Sequence, residues 1–112
     1  NRVCFMLKKP LVSGAAIGFE GQISVFDFRH VNSPCYHCLY PDTGDDTEMR
    51  CSENGVFAPL VGMIGTTQAA EALKLLINIG ESLEGRLLLL DAFNLEWRTI
   101  KLKRDLKCAV CS

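Results

Sequence analysis

Apolar residues recur along the chain at two different spacings, and each spacing predicts a different kind of element. At the start, Val3, Met6 and Leu7 have helical spacing, and Pro10 is expected to end that helix. The small residues at 11–16 then predict a short strand. Such a strand would let another backbone or a ligand approach closely.

The segment 22–28 predicts a second strand, this one with apolar residues on both faces. Ile23 and Val25 fall on one face, and Phe26 and Phe28 fall on the other. A strand that is covered on both sides lies in the middle of its sheet. We therefore expect a central strand with one layer of structure on each side of it.

The longest helical pattern begins near Pro59, a residue suited to the first turn of a helix, and continues to Ile79. Gly80 is the expected C-terminal cap. Gly62 and Gly65 are interpreted as marking an early face that packs closely. A helix this apolar is expected to bury most of its surface, and the sheet is the partner available to it.

Two further strands complete the predicted sheet. The first, 86–92, contains a run of leucines and is apolar on both faces. The second, 95–103, changes the parity of its apolar positions partway along, and a β-bulge near Arg98 and Thr99 would accommodate that change. Short turns join these later strands, which predicts mostly antiparallel pairing.

Composition limits the function only broadly. The chain has 112 residues, of which 48% are apolar and 22% are charged, so it suits one packed domain or part of one. The net charge of −1 gives no argument for a nucleic acid or an anionic membrane as partner. The sequence begins inside a predicted helix and without methionine, so we expect a fragment of a longer protein.

Two Cys-x-x-Cys pairs carry the strongest chemical signal. Their spacing is typical of a structural zinc site with four thiolate ligands, which would fasten the C-terminal tail to the middle of the chain. Two disulfides or a redox-active pair are the alternatives, but nothing marks the chain as secreted, and we expect a cytoplasmic protein. His30 is interpreted as a solvated loop residue and His37 as a bystander. The four cysteines are Cys35, Cys38, Cys108 and Cys111.

Cys51 is the residue expected to carry covalent chemistry. It follows an acidic segment, 41–48, that should be exposed and mobile, and it precedes the long helix. Arg50 and the positive end of that helix would favour the thiolate, whereas the neighbouring acids would raise the thiol pKa. The alternative role is that of a buried spare thiol, which is the role expected of Cys4.

A series of short motifs runs in order through nearly the whole chain. They are Pro10-Leu11-Val12-Ser13-Gly14-Ala15-Ala16, Gly18-Phe19-Glu20-Gly21-Gln22-Ile23, Pro34-Cys35-Tyr36-His37-Cys38, Arg50-Cys51 through Gly55-Val56, Gly62-Met63-Ile64-Gly65, Gln68-Ala69, Glu71-Ala72-Leu73-Lys74-Leu75-Leu76, Leu90-Asp91-Ala92 and Cys108-Ala109-Val110-Cys111. Together these motifs resemble the C-terminal half of the ThiF/MoeB/HesA adenylyltransferases, which are bacterial relatives of ubiquitin-activating enzymes.

The resemblance implies a fold and an activity. The fold would be α/β, the C-terminal half of a Rossmann-like adenylyltransferase domain, with a mixed sheet (partly parallel, mainly antiparallel), one long helix and a four-cysteine zinc knuckle. Family members use ATP and magnesium to adenylate the C-terminal Gly-Gly of a ubiquitin-like sulfur-carrier protein for thiamin or molybdopterin synthesis. In the family, the matched cysteines hold structural zinc, and the cysteine matched by Cys51 can link covalently to the carrier.

The nucleotide-binding part of the family's domain has no counterpart in this sequence. In the family, the Gly-rich loop and the residues that contact ATP and magnesium belong to the N-terminal half, and no Gly-x-Gly-x-x-Gly occurs here. We therefore expect residues 1–112 to be the carrier-binding and zinc-binding part, inactive alone and without cofactor-binding residues for ATP. An unpaired strand edge at 11–16 would favour a homodimer, a co-purifying N-terminal half or aggregation in isolation. A stand-alone zinc-ribbon interaction domain is the alternative.

Overall fold

The structure is a computed structural model, and it describes residues 1–30, 32–40 and 55–111. Within these ranges, four strands form one sheet, and one long helix packs against it. The predictions about the acidic segment 41–48 and about Cys51 fall outside the described residues and stay predictions. The elements in chain order are α1 (Arg2–Leu7), β1 (Leu11–Ile17), β2 (Glu20–Phe26), α2 (Tyr36–Leu39), α3 (Ala58–Ile77), β3 (Arg86–Asp91) and β4 (Glu96–Lys101).

The sheet has the strand order β1-β2-β3-β4, and each neighbouring pair is antiparallel. This arrangement confirms the predicted α/β fold with a mainly antiparallel sheet and one long helix. Within the part of the chain that the structure describes, parallel pairing is limited to two isolated bridges, Gly18–Val56 and Val25–Glu84. The parallel part of the predicted mixed sheet stays a prediction.

The central strand β2 is covered on both faces, as its alternation predicted. Ile23 and Val25 are buried in a cluster to which α3 contributes Leu60. Phe26 belongs to a second cluster that contains the cysteines. Because Val25 and Phe26 point to opposite faces of the strand, the helix and the cysteines form two layers on either side of β2.

The helix α3 has Pro59 in its first turn, as predicted, but it ends at Ile77 rather than two residues later. Asn78 adopts the left-handed conformation with φ 55°, and the cap N–H bonds to the Lys74 carbonyl oxygen. Asparagine tolerates this conformation better than most residues that carry a Cβ. The prediction of Gly80 as the cap is therefore wrong, because Asn78 ends the helix first.

Glycines of the strands, and not of the helix, allow the helix and the sheet to pack closely. A Cβ added at Gly21 would lie 2.6 Å from Ile64 Cδ1, and Gly14 is similarly close to α3. A Cβ added at Gly62 or Gly65 would meet no atom within 4 Å. The prediction that Gly62 and Gly65 mark a closely packed face is therefore wrong.

The prediction that α3 buries most of its surface is also wrong for the described residues. The buried residues of the helix are Leu60, Ile64 and Glu71, whereas Leu73 and Leu76 are 58% and 80% exposed. A sheet covers only one side of a helix, so the outer side of α3 stays open. By length and hydropathy alone, α3 would also suit a membrane span, but a core helix meets the same criteria, and Leu60 and Ile64 pack α3 on the sheet.

The strand β4 pairs with β3 in regular register from Asp91–Glu96 to Arg86–Lys101. The bulge predicted near Arg98 is therefore wrong. That prediction assumed a buried face, but all six residues of β4 are exposed. Alternation is enforced only where one face of a strand packs on a core, so a change of parity in β4 needs no correction.

Candidate metal centre

The structure brings the four predicted cysteines into one cluster. The Cys35 Sγ atom lies 3.8 Å from that of Cys38 and 3.6 Å from that of Cys108, and the Sγ atoms of Cys38 and Cys111 are 3.4 Å apart. Four sulfurs at about 2.3 Å from a zinc ion would lie about 3.8 Å apart in a regular tetrahedron. The cluster therefore has the size of a tetrahedral metal site, and the sulfurs are well beyond the S–S bond length of about 2.05 Å.

Two short turns direct the four thiols toward a common point. Cys35 is the N-cap of the single-turn helix α2, and the Cys38 N–H bonds to the Cys35 carbonyl oxygen at 3.0 Å. In the second pair, the Cys108 N–H bonds to the Asp105 carbonyl oxygen at 3.1 Å. The two-residue spacing lets each turn present both of its sulfurs to the same ion.

The cysteine cluster rests on the apolar face of β2. Three of the four cysteines are fully buried, and they pack with Phe26 and Phe28. The Phe5 ring from α1 meets the Phe28 ring edge-on, with 5.6 Å between the ring centroids. Cys4 is half-buried in the same layer, a position that suits a packed thiol.

Backbone N–H groups supply polar partners for two of the sulfurs. The Asp105 N–H donates to Cys38 Sγ at 3.3 Å, and the Val110 N–H donates to Cys108 Sγ at 3.4 Å. Hydrogen bonds of this kind stabilise the negative charge of a thiolate, which is the form that binds a metal. The turns therefore prepare the sulfurs for a cation as well as positioning them.

The thiols of the cluster differ strongly in acidity. Burial raises the pKa of the Cys108 thiol, but the N–H groups of the following turn outweigh burial and lower that pKa to about 6. Burial and the adjacent Cys38 sulfur raise the pKa of the Cys111 thiol to about 12. Four adjacent thiolates repel one another, so they can ionise together only around a cation. All four cysteines can therefore be thiolates at once only when a metal ion is bound.

His37 lies beside the cluster, although it was interpreted as a bystander. Its Nδ1 atom is 3.5 Å from Cys108 Sγ, a distance that suits a hydrogen bond to sulfur. The four sulfurs already form the donor set, so His37 is a neighbour of the cluster and not a further ligand. In the sequence, the position of His37 between Cys35 and Cys38 was the feature that could have predicted this contact.

A second group of titratable side chains lies at the end of β2. Asp27 is buried and accepts two hydrogen bonds from the Arg29 guanidinium, at 2.7 and 2.8 Å. His30 is exposed, as predicted, but its Nδ1 atom lies 2.6 Å from Glu84 Oε1. Sequence reasoning missed this pairing because the two residues are 54 positions apart and belong to no motif.

Hydrogen bonds set the acidity within this Asp27–His30–Glu84 group. The bond from Arg29 holds the pKa of Asp27 below its usual value, although burial acts in the opposite direction. The bond with Glu84 raises the pKa of His30. The group therefore favours a charged carboxylate at Asp27 and the protonated form of His30.

Comparison with known families gives a match over almost the whole chain. The sequence model described as the ThiF family matches residues 1–110. The resemblance recognised from the motifs is thereby confirmed.

Curated proteins of two kinds are similar over nearly the full chain. The molybdopterin-synthase adenylyltransferase of Salmonella typhimurium is 46% identical over 111 residues, which cover 99% of this chain and 44% of that protein. The adenylyltransferase and sulfurtransferase MOCS3 of Caenorhabditis briggsae is 46% identical over 113 residues, which cover 99% of this chain and 28% of that protein. The chain spans less than half the length of these two relatives.

A solved structure has the same fold. The crystal structure of E. coli MccB with ATP matches with a TM-score of 0.79 and 16% sequence identity, covering 100% of this chain and 34% of that one. At this level of identity, the likeness concerns the fold alone.

Proposed function

Because the chain belongs to the ThiF family, we propose that it is part of an enzyme that adenylates the C-terminal Gly-Gly carboxylate of a ubiquitin-like sulfur-carrier protein. The supporting observation is the 46% identity, over 99% of the chain, to a protein named molybdopterin-synthase adenylyltransferase. That name favours a carrier for molybdopterin synthesis over a thiamin carrier. The chain spans 44% of that relative, so the proposal concerns the complete enzyme.

The proposed reaction activates a carboxylate that would otherwise resist attack by sulfur. A carboxylate oxygen of the carrier attacks the α-phosphorus of ATP, pyrophosphate leaves, and an acyl-adenylate forms. A sulfur nucleophile then attacks the acyl carbon and AMP leaves, which prepares the carrier thiocarboxylate. ATP and magnesium would be bound by a part of the enzyme other than these residues, since the sequence contains no Gly-x-Gly-x-x-Gly.

Zinc is the metal that we assign to the cysteine cluster. Four sulfur ligands in a tetrahedral arrangement are typical of structural zinc, and they leave no position for water or substrate. The ion would fasten the tail segment 104–111 to α2 and to the apolar face of β2. Its role would be to hold the end of the chain on the sheet, with no part in the chemical steps.

An exposed aromatic patch supports a protein as the substrate. Phe19, Phe57 and Phe93 pack together, with 5.0 and 5.3 Å between the Phe19 ring centroid and the other two, and each residue is at least 41% exposed. Exposed apolar surface of this kind is common at protein-interaction sites. The Gly55 carbonyl oxygen accepts a hydrogen bond from the Gly18 N–H beside this patch.

Three further expectations belong to the same proposal. Cys51 is the residue proposed to form the covalent conjugate with the carrier. The exposed outer side of α3 and the β1 edge support a homodimer of the complete enzyme. The compartment proposed is the cytoplasm, where thiols stay reduced and available for zinc and for sulfur transfer.

The test is ATP–pyrophosphate exchange by the full-length enzyme in the presence of the molybdopterin-synthase carrier. Exchange should depend on the carrier, and a carrier truncated by its two terminal glycines is the matched control. Cys51→Ser should leave exchange intact and abolish the covalent conjugate. Exchange without a carrier, or equal exchange with the truncated carrier, would contradict the proposal. Exchange that occurs only with a thiamin carrier would correct the choice of partner.

A further inference from the structure

The Asp27–His30–Glu84 group lies outside the cysteine cluster and has no role in the proposed reaction. One ligand atom from each of the three side chains lies within 4.8 Å of the other two. The His30 Nδ1 atom is 2.6 Å from Glu84 Oε1 and 3.8 Å from Asp27 Oδ2. We propose that these three side chains bind one divalent transition-metal ion, separate from the ion of the four cysteines.

Hydrogen-bonded turns hold the three groups in place. Asp27 and His30 are the ends of one turn, in which the His30 N–H bonds to the Asp27 carbonyl oxygen at 3.1 Å. Glu84 lies in the connection between α3 and β3, which is bridged to Val25 of β2, and its N–H bonds to Ser82 Oγ at 3.2 Å. The ligand-bearing backbone is thus ordered before an ion arrives, which reduces the entropy cost of binding.

Arg29 competes for the Asp27 carboxylate, but it leaves one position open. A carboxylate offers about four lone-pair positions. Arg29 donates to Oδ1 from its backbone N–H and from Nε, and to Oδ2 from one terminal nitrogen. The remaining position is on Oδ2, the oxygen that lies 3.8 Å from His30 Nδ1. Arg29 therefore acts as the hydrogen-bonding partner that orients a ligating carboxylate.

The donor set identifies the class of ion. One imidazole nitrogen and two carboxylate oxygens suit Zn²⁺, Co²⁺ or Ni²⁺ better than Ca²⁺ or Mg²⁺, which prefer oxygen alone. Any proton on His30 Nδ1 would pass to the solvent when the ion binds. The group borders an open cavity of about 840 Å³, which gives the ion an entry path and room for water ligands.

The test is a titration of the zinc-loaded protein with Co²⁺, followed by isothermal calorimetry and native mass spectrometry. One cobalt ion should bind to molecules that retain their zinc, and it should raise the thermal unfolding midpoint. His30→Gln and Glu84→Gln should each weaken cobalt binding by at least about tenfold. Glu81→Gln is the matched control, because Glu81 lines the same cavity without belonging to the group.

The His30 and Glu84 substitutions should remove metal ligands without preventing folding. The side chains of His30 and Glu84 are 61% and 26% exposed, so their replacement should not prevent folding, which circular dichroism and zinc content would check. The proposal is overturned if no cobalt binds to the zinc-loaded protein at millimolar concentration. It is also overturned if His30→Gln or Glu84→Gln binds cobalt as tightly as the unchanged chain, or if Glu81→Gln loses binding to the same extent.

Discussion

Replacement of Gly21 by alanine would measure how closely α3 packs on the sheet. The new Cβ would lie 2.6 Å from Ile64 Cδ1, 2.8 Å from Ile64 Cγ1 and 3.0 Å from Leu60 Cδ1. Both neighbours are buried, so neither can move aside without displacing the core. Overpacking costs about 1–3 kcal/mol, and alanine recovers about 0.5–1 kcal/mol relative to glycine in a strand. We expect Gly21→Ala to lower the free energy of unfolding by about 1–2 kcal/mol.

Gly62→Ala is the matched control for this substitution. A Cβ at Gly62 would meet no atom within 4 Å, and alanine stabilises a helix interior by about 0.8–1 kcal/mol relative to glycine. The same chemical change should therefore have opposite signs at the two positions. Urea denaturation of the zinc-loaded protein, followed by circular dichroism, would measure both. If Gly21→Ala stabilises the protein, the reasoning about the packing of α3 on β2 is refuted.

A double-mutant cycle would locate the strain. Ile64→Ala alone should cost about 2–5 kcal/mol, because it removes buried atoms and leaves a cavity. In the Ile64→Ala background, Gly21→Ala should be neutral or stabilising, since the atoms nearest the new Cβ are gone. The two substitutions should therefore differ from additivity by at least about 1 kcal/mol. Additive effects would show that the contact with Ile64 is not the source of the cost.

Three further predictions concern separate parts of the fold. Cys38→Ser should lose the zinc and several kcal/mol of stability, because metal binding is coupled to folding. The control Cys4→Ser should keep the zinc. Metal analysis that shows no zinc in the unchanged protein would contradict the zinc assignment. Hydrogen bonds from Asn94 lower the pKa of Asp91 in the folded protein below its value of about 3.9 in the unfolded chain. The stability that Asp91 contributes is therefore complete above about pH 3.9 and is lost as the pH falls through the lower pKa of the folded protein. Asp91→Asn should therefore flatten the acid side of the pH–stability profile measured in urea, and an unchanged profile would contradict this. Asn78 has φ 55°, so Asn78→Val should cost about 1–2 kcal/mol in thermal unfolding and Asn78→Gly should cost nothing.

The features that were predictable from the sequence follow local periodic rules. The alternation at 22–28 placed Ile23 and Phe26 on opposite faces, because successive side chains of a strand point in opposite directions. The cysteine pairs were also readable, since two residues between thiols suit a turn around a metal ion. Both inferences used only neighbouring residues and required no knowledge of which remote segments come together.

The features that were missed depend on which segments meet. A glycine in the sequence indicates only that a Cβ is absent, so Gly62 and Gly21 cannot be told apart there. In the structure, Gly21 packs closely against α3, whereas Gly62 has no neighbour within 4 Å of an added Cβ. His30 and Glu84 come together because β2 and the segment before β3 are neighbours in the sheet. The bulge predicted near Arg98 failed for the same reason, since the sequence did not indicate that β4 has no buried face.

The 73 positions that separate Cys35 from Cys108 have a consequence for biosynthesis. Closing a loop of this length costs only about 1 kcal/mol more than closing one of about 20 residues, so the separation weakens the site little. It does impose an order in time. At about 5–20 residues per second, the ribosome adds Cys108 roughly 4–15 s after Cys35. Until then the first pair offers only two of four ligands, and the apolar face of β2 lacks the part of its cover that Cys108 and Cys111 supply. Zinc binding by all four cysteines therefore requires synthesis to have passed Cys111, and a chain stopped earlier would expose part of that face to proteases and chaperones.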